Sequence, residues 1–164
     1  MHDASTHPSA EPALFALFEE LAEPMAPVAI ILSAESQRAT MRLAEDELAS
    51  RGIQFQTHVV NPYLDAPRVT RFADSCAMRG VRVIIATAAH SAMLPALLAS
   101  HTDVPVIGVP LTVGPLGGID ALLATAQMPP EVPVACMAID GAQNAAVFAA
   151  HILSSLPLGP HPDE

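Results

Sequence analysis

The chain has 164 residues, about half of them apolar but only 4% aromatic, and sets seven basic against 17 acidic side chains for a formal charge of −10. That length suits one domain with a real core, and that charge repels a phosphate backbone and an anionic membrane surface, so neither nucleic acid nor membrane is an expected partner. No apolar run nears the ~20 residues needed to cross a bilayer, and the opening residues hold no Lys, Arg or apolar h-region, which predicts no secretory signal and a cytoplasmic location.

The elements follow in chain order. Residues 1–27 read as an N-terminal arm: a polar start, a short amphipathic helix over 11–22 with Leu14, Phe15, Leu17, Phe18 and Leu21 at helical spacing, then Pro24 and Pro27. From Val28 a regular alternation begins, with strands predicted over 28–32, 55–60, 81–87, 104–109 and 132–139. Helices are predicted between and after them over 37–51, 67–79, 92–100, 118–126 and 144–156, with Gly52 and Gly80 closing the first two and Pro95 in the first turn of the third. Residues 157–164 read as a loose tail. Cys76 and Cys136 are isolated in apolar surroundings and read as reduced core thiols.

Five β-α units in succession predict an α/β three-layer sandwich over 28–156, a five-stranded parallel flavodoxin-like (Rossmann-like) sheet with helices on both faces. Ligands in such sheets bind outside the carboxyl ends of the strands, where strand order reverses. Four loops are thereby singled out: Ser33-Ala34-Glu35-Ser36, the stretch from Asn61 to Ala66, Thr87-Ala88-Ala89-His90-Ser91, and the stretch from Leu111 to Gly118.

Around these loops several segments stand together in a specific order. They are Val28-Ala29-Ile30-Ile31, Met93-Leu94-Pro95, Val104-Pro105-Val106-Ile107-Gly108-Val109-Pro110, Gly118-Ile119-Asp120, Gln127-Met128-Pro129 and Asn144-Ala145-Ala146. In this the chain resembles the phosphoribosylaminoimidazole carboxylase (PurE) family, whose members interconvert carboxylated forms of aminoimidazole ribonucleotide. The resemblance implies a cofactor-free, metal-free site in a closed homo-octamer, completed by neighbouring subunits.

The loops depart from the family pattern. Where the family reads Gly-Ser-x-Ser-Asp, with serines on the substrate phosphate and Asp on the ribose, this chain has Ser33-Ala34-Glu35-Ser36-Gln37. Where the family has Ser-Ala-His-Arg-Thr-Pro, this chain has Asn61-Pro62-Tyr63-Leu64-Asp65-Ala66, without the His or the phosphate-pairing Arg. Where the family's glycine-rich loop ends in a catalytic His, Met93 stands at the His position and His90 appears three residues earlier, between Thr87 and Leu94.

Two candidates for proton transfer emerge. His90 stands between a strand and a helix, where an imidazole serves as general acid or base, or simply bonds a backbone carbonyl. Tyr63 takes the slot of the family's loop histidine, as a proton donor, a ligand-positioning group or a packing plug. Ser33, Glu35, Ser36, Gln37, Asn61, Thr87, Ser91, Met93 and Leu94 are the expected substrate-binding residues, Ser36 also being a natural helix cap. No His, Cys or carboxylate spacing suggests a metal.

The leading expectation is a cofactor-free decarboxylase or carboxyl-transfer enzyme acting on a small carboxylate outside the purine route, because a phosphate facing Glu35 and lacking its Arg is disfavoured. The alternatives are a catalytically inactive binding or assembly protein and an authentic N5-carboxyaminoimidazole ribonucleotide mutase.

Overall fold

The computed structural model describes residues 24–156; the arm helix expected over 11–22 and the tail over 157–164 lie outside the described residues. The elements are β1 (Val28–Leu32), α1 (Arg38–Ser50), β2 (Phe55–Val59), α2 (Ala66–Cys76), β3 (Val83–Ala88), α3 (Met93–Ala99), β4 (Val106–Pro110), α4 (Ile119–Ala126), β5 (Ala135–Cys136) and α5 (Ala142–Ser155). All strand pairs are parallel and the order is β2-β1-β3-β4-β5, the flavodoxin-like arrangement expected.

Strands buried on both faces have no polar alternation to show, which is why β1, β3 and β4 read as continuous apolar runs. Their side chains alternate between two cores. Val28, Ile30, Leu32, Ile85 and Val109 pack with Met41, Ala44 and Leu48 of α1 and with Ala142, Ala145, Ala146 and Ala149 of α5. Ala29, Ile31, Ile84 and Ala86 pack with Val69 and Ala73 of α2 and with Leu94 and Leu98 of α3. Ala at four core positions of α5 leaves little side chain between α5 and α1, so these two helices approach closely.

Local chemistry sets the element ends. Asp65 caps α2 by accepting from the amide of Arg68 at 3.1 Å, and Pro67 sits in the first turn, where its missing N–H costs nothing. The last strand differs most from expectation. Of residues 132–139 only Ala135 and Cys136 form β5, paired with Ile107 and Gly108. Pro133 has no N–H for a ladder, and an edge strand has one neighbour to hold it. Cys76 is a buried thiol as expected, whereas Cys136, on this short edge strand, is only half-buried.

Strand order reverses between β1 and β3, with β2 to one side and β4 to the other. Ser33 and Thr87 stand at the carboxyl ends of those two strands. Among the described residues no helix is long and apolar enough to cross a membrane.

Candidate functional site

At the switch point Ser33, Gln37 and Thr87 form a closed hydrogen-bonded triangle. The Ser33 amide donates to Gln37 Oε1 at 3.0 Å and lies 3.1 Å from Thr87 Oγ1. Thr87 Oγ1 donates to Gln37 Oε1 at 2.6 Å, and Gln37 Nε2 donates to Ser33 Oγ at 2.7 Å. Thr87 is 0% exposed and Gln37 7%, so these bonds satisfy polar groups that have left water.

Glu35 and Ser36 lie in a 3-10 turn that runs into α1. Ser36 is exposed, and no side chain caps the start of the turn or of α1, so the capping role expected of Ser36 is not the one it plays. Arg38 holds both oxygens of Glu35, its Nη2 at 3.2 Å from Oε2, and its Nη1 is 3.6 Å from Glu45 Oε1. This guanidinium keeps the Glu35 carboxyl below its usual range. The negative charge expected to repel an anion at this loop is therefore offset by a cation beside it.

In the second loop the side chain of Asn61 accepts from the amide of Tyr63 at 2.9 Å, an Asx turn that holds Pro62 inward and Tyr63 outward. The Tyr63 hydroxyl is hydrogen-bonded to the Ser91 hydroxyl, which also accepts from the amide of Met93 at 3.4 Å. Tyr63 is nonetheless 64% exposed and Leu64 85%. Within one chain the Tyr63 ring is thus mostly uncovered, while its oxygen is anchored.

His90 adopts a left-handed backbone, φ 59°, which a residue with a Cβ seldom takes. Its ring lies over the backbone of Gly114 (φ 70°), where an added Cβ would come within 2.6 Å of His90 Cε1. His90 Nδ1 is 3.6 Å from Asp120 Oδ2. Asp120 stands in the first turn of α4, where the helix dipole favours a carboxylate, and its other oxygen is buried without a hydrogen-bond partner among the described residues.

Ser33, Tyr63, Thr87, Ser91, Met93 and Leu94 line one cavity of about 10 Å³ together with Pro62 and Ala89. That volume admits about one water, so the site of a single protomer is close to shut. Of the other candidates, Gln37 bonds to two of these residues, while Glu35, Ser36, Asn61 and His90 stand outside the cavity. A much larger concavity, of about 910 Å³, lies elsewhere, at the amino end of β4 between α5 and the short β5, and touches none of these loops. Sequence reasoning missed two contributors, Arg38 and Asp120. The signals were the Arg directly after Gln37 and the acid at the start of a helix.

The whole 27–157 span matches a family model described as AIR carboxylase. The chain belongs to the AIR carboxylase family. It is 41% identical over 130 residues to N5-carboxyaminoimidazole ribonucleotide mutase of Pyrococcus abyssi, covering 79% of this chain and 75% of that protein. The mutases of Thermotoga maritima and Saccharolobus solfataricus are 40% and 42% identical over 126 and 129 residues, covering 77% and 79% of this chain and 74% and 82% of theirs. Among solved structures, Treponema denticola PurE shares the fold with a TM-score of 0.69 at 22% identity, covering 77% of this chain and 79% of that one. Within the AIR carboxylase family, then, this member carries Gln37, Tyr63 and His90 at the mouth of the sheet.

Proposed function

We propose that this AIR carboxylase family member transfers a carboxyl group on a small carboxylated substrate, with N5-carboxyaminoimidazole ribonucleotide as the substrate of first choice. The observation that carries this reading is the 40–42% identity with proteins named as mutases for that nucleotide, spread over about three quarters of both chains. In such a migration the N–carboxylate bond breaks to release CO2, a ring carbon attacks the CO2, and the proton displaced from that carbon passes to a base and returns to the nitrogen. The protein has to hold CO2 in a dry space and move one proton.

The geometry offers groups for the proton step and for binding the rest of the substrate. The Tyr63 hydroxyl, bonded to Ser91, and the His90 imidazole, held toward Asp120, are the two proton-handling groups at the mouth. The uncapped start of α1, the Ser36 hydroxyl and the neighbouring Arg38 are the groups for an anionic end of the substrate.

A second reading is favoured by one specific observation, the Ser33–Gln37–Thr87 triangle. Gln37 spends its amide on Ser33 and Thr87 instead of facing outward, and the loops at 61–66 and 87–91 contain no Lys or Arg. A substrate without ribose phosphate, decarboxylated or carboxylated at the same place, fits that arrangement.

The deciding experiment incubates the purified protein with N5-carboxyaminoimidazole ribonucleotide and separates the two carboxylated isomers by chromatography. Turnover within about tenfold of an ordinary family mutase supports the first reading, tenfold being ~1.4 kcal/mol of barrier. Absence of turnover, with melting raised by an unphosphorylated heteroaromatic carboxylate, supports the second. Absence of both leaves the inactive binding protein.

A further inference from the structure

A three-residue turn gives Ser91 its place. The Ser91 amide donates to the carbonyl of Ala89 at 2.6 Å around His90, whose φ is 59°, a closure that residues with a Cβ seldom adopt. The turn sends the His90 ring over Gly114, outside the cavity lining, and leaves Ser91 on the cavity wall with Tyr63, Met93 and Leu94. There the Ser91 hydroxyl bonds the Tyr63 hydroxyl and accepts from the amide of Met93 at 3.4 Å.

The other two aliphatic hydroxyls of the cavity are already spent. Thr87 Oγ1 donates to Gln37 Oε1, and Ser33 Oγ accepts from Gln37 Nε2. Pro62, Ala89, Met93 and Leu94 bring no side-chain donor to the cavity. Among the described residues Ser91 is therefore the one side-chain partner of Tyr63 Oη. A serine oxygen has one hydrogen to give and two lone pairs to receive. With the Met93 amide on one lone pair, the hydrogen remains for Tyr63.

We propose that Ser91 is a positioning residue for the proton step, donating its hydroxyl hydrogen to Tyr63 Oη so that the phenol's own proton is free for the substrate. This rests on the carboxyl-transfer reading. A phenol that donated to Ser91 would have its proton tied up at the wall. As the N–carboxylate bond breaks, its electron pair stays on nitrogen, CO2 leaves, and the Tyr63 proton passes to that nitrogen. The phenolate keeps the Ser91 hydrogen bond, which strengthens as its acceptor becomes charged. Once the ring carbon has attacked CO2, the proton displaced from that carbon goes to the phenolate and restores Tyr63. Ser91 itself transfers no proton.

The chain has one tyrosine and no tryptophan, so its tyrosine spectrum belongs to Tyr63 alone. Ultraviolet resonance Raman spectroscopy of the full chain reads the tyrosine doublet, whose intensity ratio separates a hydroxyl that accepts from one that donates. The expected ratio is that of an acceptor in the unaltered chain and in Ser91→Thr, moved toward a donor in Ser91→Ala. A donor ratio in the unaltered chain, or one ratio in all three, overturns the inference. With N5-carboxyaminoimidazole ribonucleotide as substrate, Ser91→Ala should lower kcat roughly 10²-fold at unchanged KM, the loss expected for one donor to a developing oxyanion. Ser91→Thr should restore most of it. Unchanged kcat in Ser91→Ala, or a change in KM alone, overturns the inference and leaves the carboxyl-transfer reading standing. No turnover in the unaltered chain overturns that reading and the step built on it together. Circular dichroism confirms that each variant retains its fold.

Discussion

The backbone amide of Ser33 and the hydroxyl of Thr87, 54 residues apart in the chain, meet at 3.1 Å across the crevice where strand order reverses, and Gln37 Oε1 accepts a hydrogen bond from each. Because Thr87 is wholly buried, removing its hydroxyl strips Gln37 of a donor where water does not replace it. Thr87→Val is expected to lower unfolding free energy by about 1–3 kcal/mol, the range for a buried polar group left short of a partner. Denaturant titration measures it, and a loss below the error of the fit would show that the triangle is not closed in solution.

Tyr63 offers the opposite case. Its ring is mostly exposed and its hydroxyl bonds only at the rim, so Tyr63→Phe should change the melting temperature little. If the carboxyl-transfer reading holds, the same change should cut turnover at least ~10²-fold, as loss of a general acid does. Loss of stability with activity kept would make Tyr63 a structural residue.

The His90 arrangement depends on a glycine opposite it. A Cβ at Gly114 would come within 2.6 Å of the His90 ring, so Gly114→Ala must push the imidazole off Asp120. Its effect on turnover should approach that of His90→Asn, roughly 10²-fold or more, while His151→Asn on α5 should have none. Asp120→Asn is the companion variant and should lower turnover less than His90→Asn, because it removes the carboxylate 3.6 Å from the ring while leaving the imidazole in place. Unchanged turnover would leave Asp120 with only its place in α4.

Burial pushes the thiol of Cys76 up, and that of Cys136 as well. A thiol with a raised value in the folded state favours folding while it stays neutral. That contribution is complete below the unfolded value of about 8.5 and is lost as pH rises through the higher folded value. Denaturant midpoints should therefore fall above about pH 8.5, and Cys76→Ala should flatten the fall. A midpoint that rises over that range would reverse the assignment.

The fold was legible because buried parallel strands and Gly- or Pro-bounded helices leave strong marks. Val28-Ala29-Ile30-Ile31-Leu32 is buried at every position, and the face of Met41, Ala44 and Leu48 is the face that packs. The last strand was overread because an apolar run around Pro133 says nothing about whether a neighbour is there to bond it. At the site, the gathering of Ser33, Tyr63, Thr87, Ser91, Met93 and Leu94 followed from the rule about strand ends. The pairings did not. That Gln37 turns inward to Thr87, that Arg38 offsets Glu35, and that Asp120 reaches His90 are contacts over distances of three to fifty residues, set by side-chain rotamers that no local pattern records.

The last prediction concerns assembly. Leu116, Ile119 and Leu123, around the start of α4, are 59%, 56% and 54% exposed, and Tyr63 and Leu64 add a second exposed apolar step at the candidate site. Ile119 and Leu123 are one turn apart on the same helix face, and Leu116 precedes them, so the three make a stripe of the kind that a partner covers. The open concavity beside the two-residue β5, with Phe148 and Ile152 on its wall, leaves another uncovered edge. A cavity of about 10 Å³ is too small for any nucleotide or aromatic carboxylate, so a working site here needs a second surface to form against the exposed Tyr63. The expected assembly is a closed homo-oligomer, an octamer by the family resemblance, which would supply both the cover and that second surface. Light scattering at micromolar protein should return a mass several times 17.1 kDa. Ile119→Glu with Leu123→Glu should reduce that mass, since burying two carboxylates without partners costs several kcal/mol per ion. Turnover should fall in the same variant even though neither residue lines the cavity. A 17.1 kDa species that is active at the same concentration would mean that the site is complete within one chain.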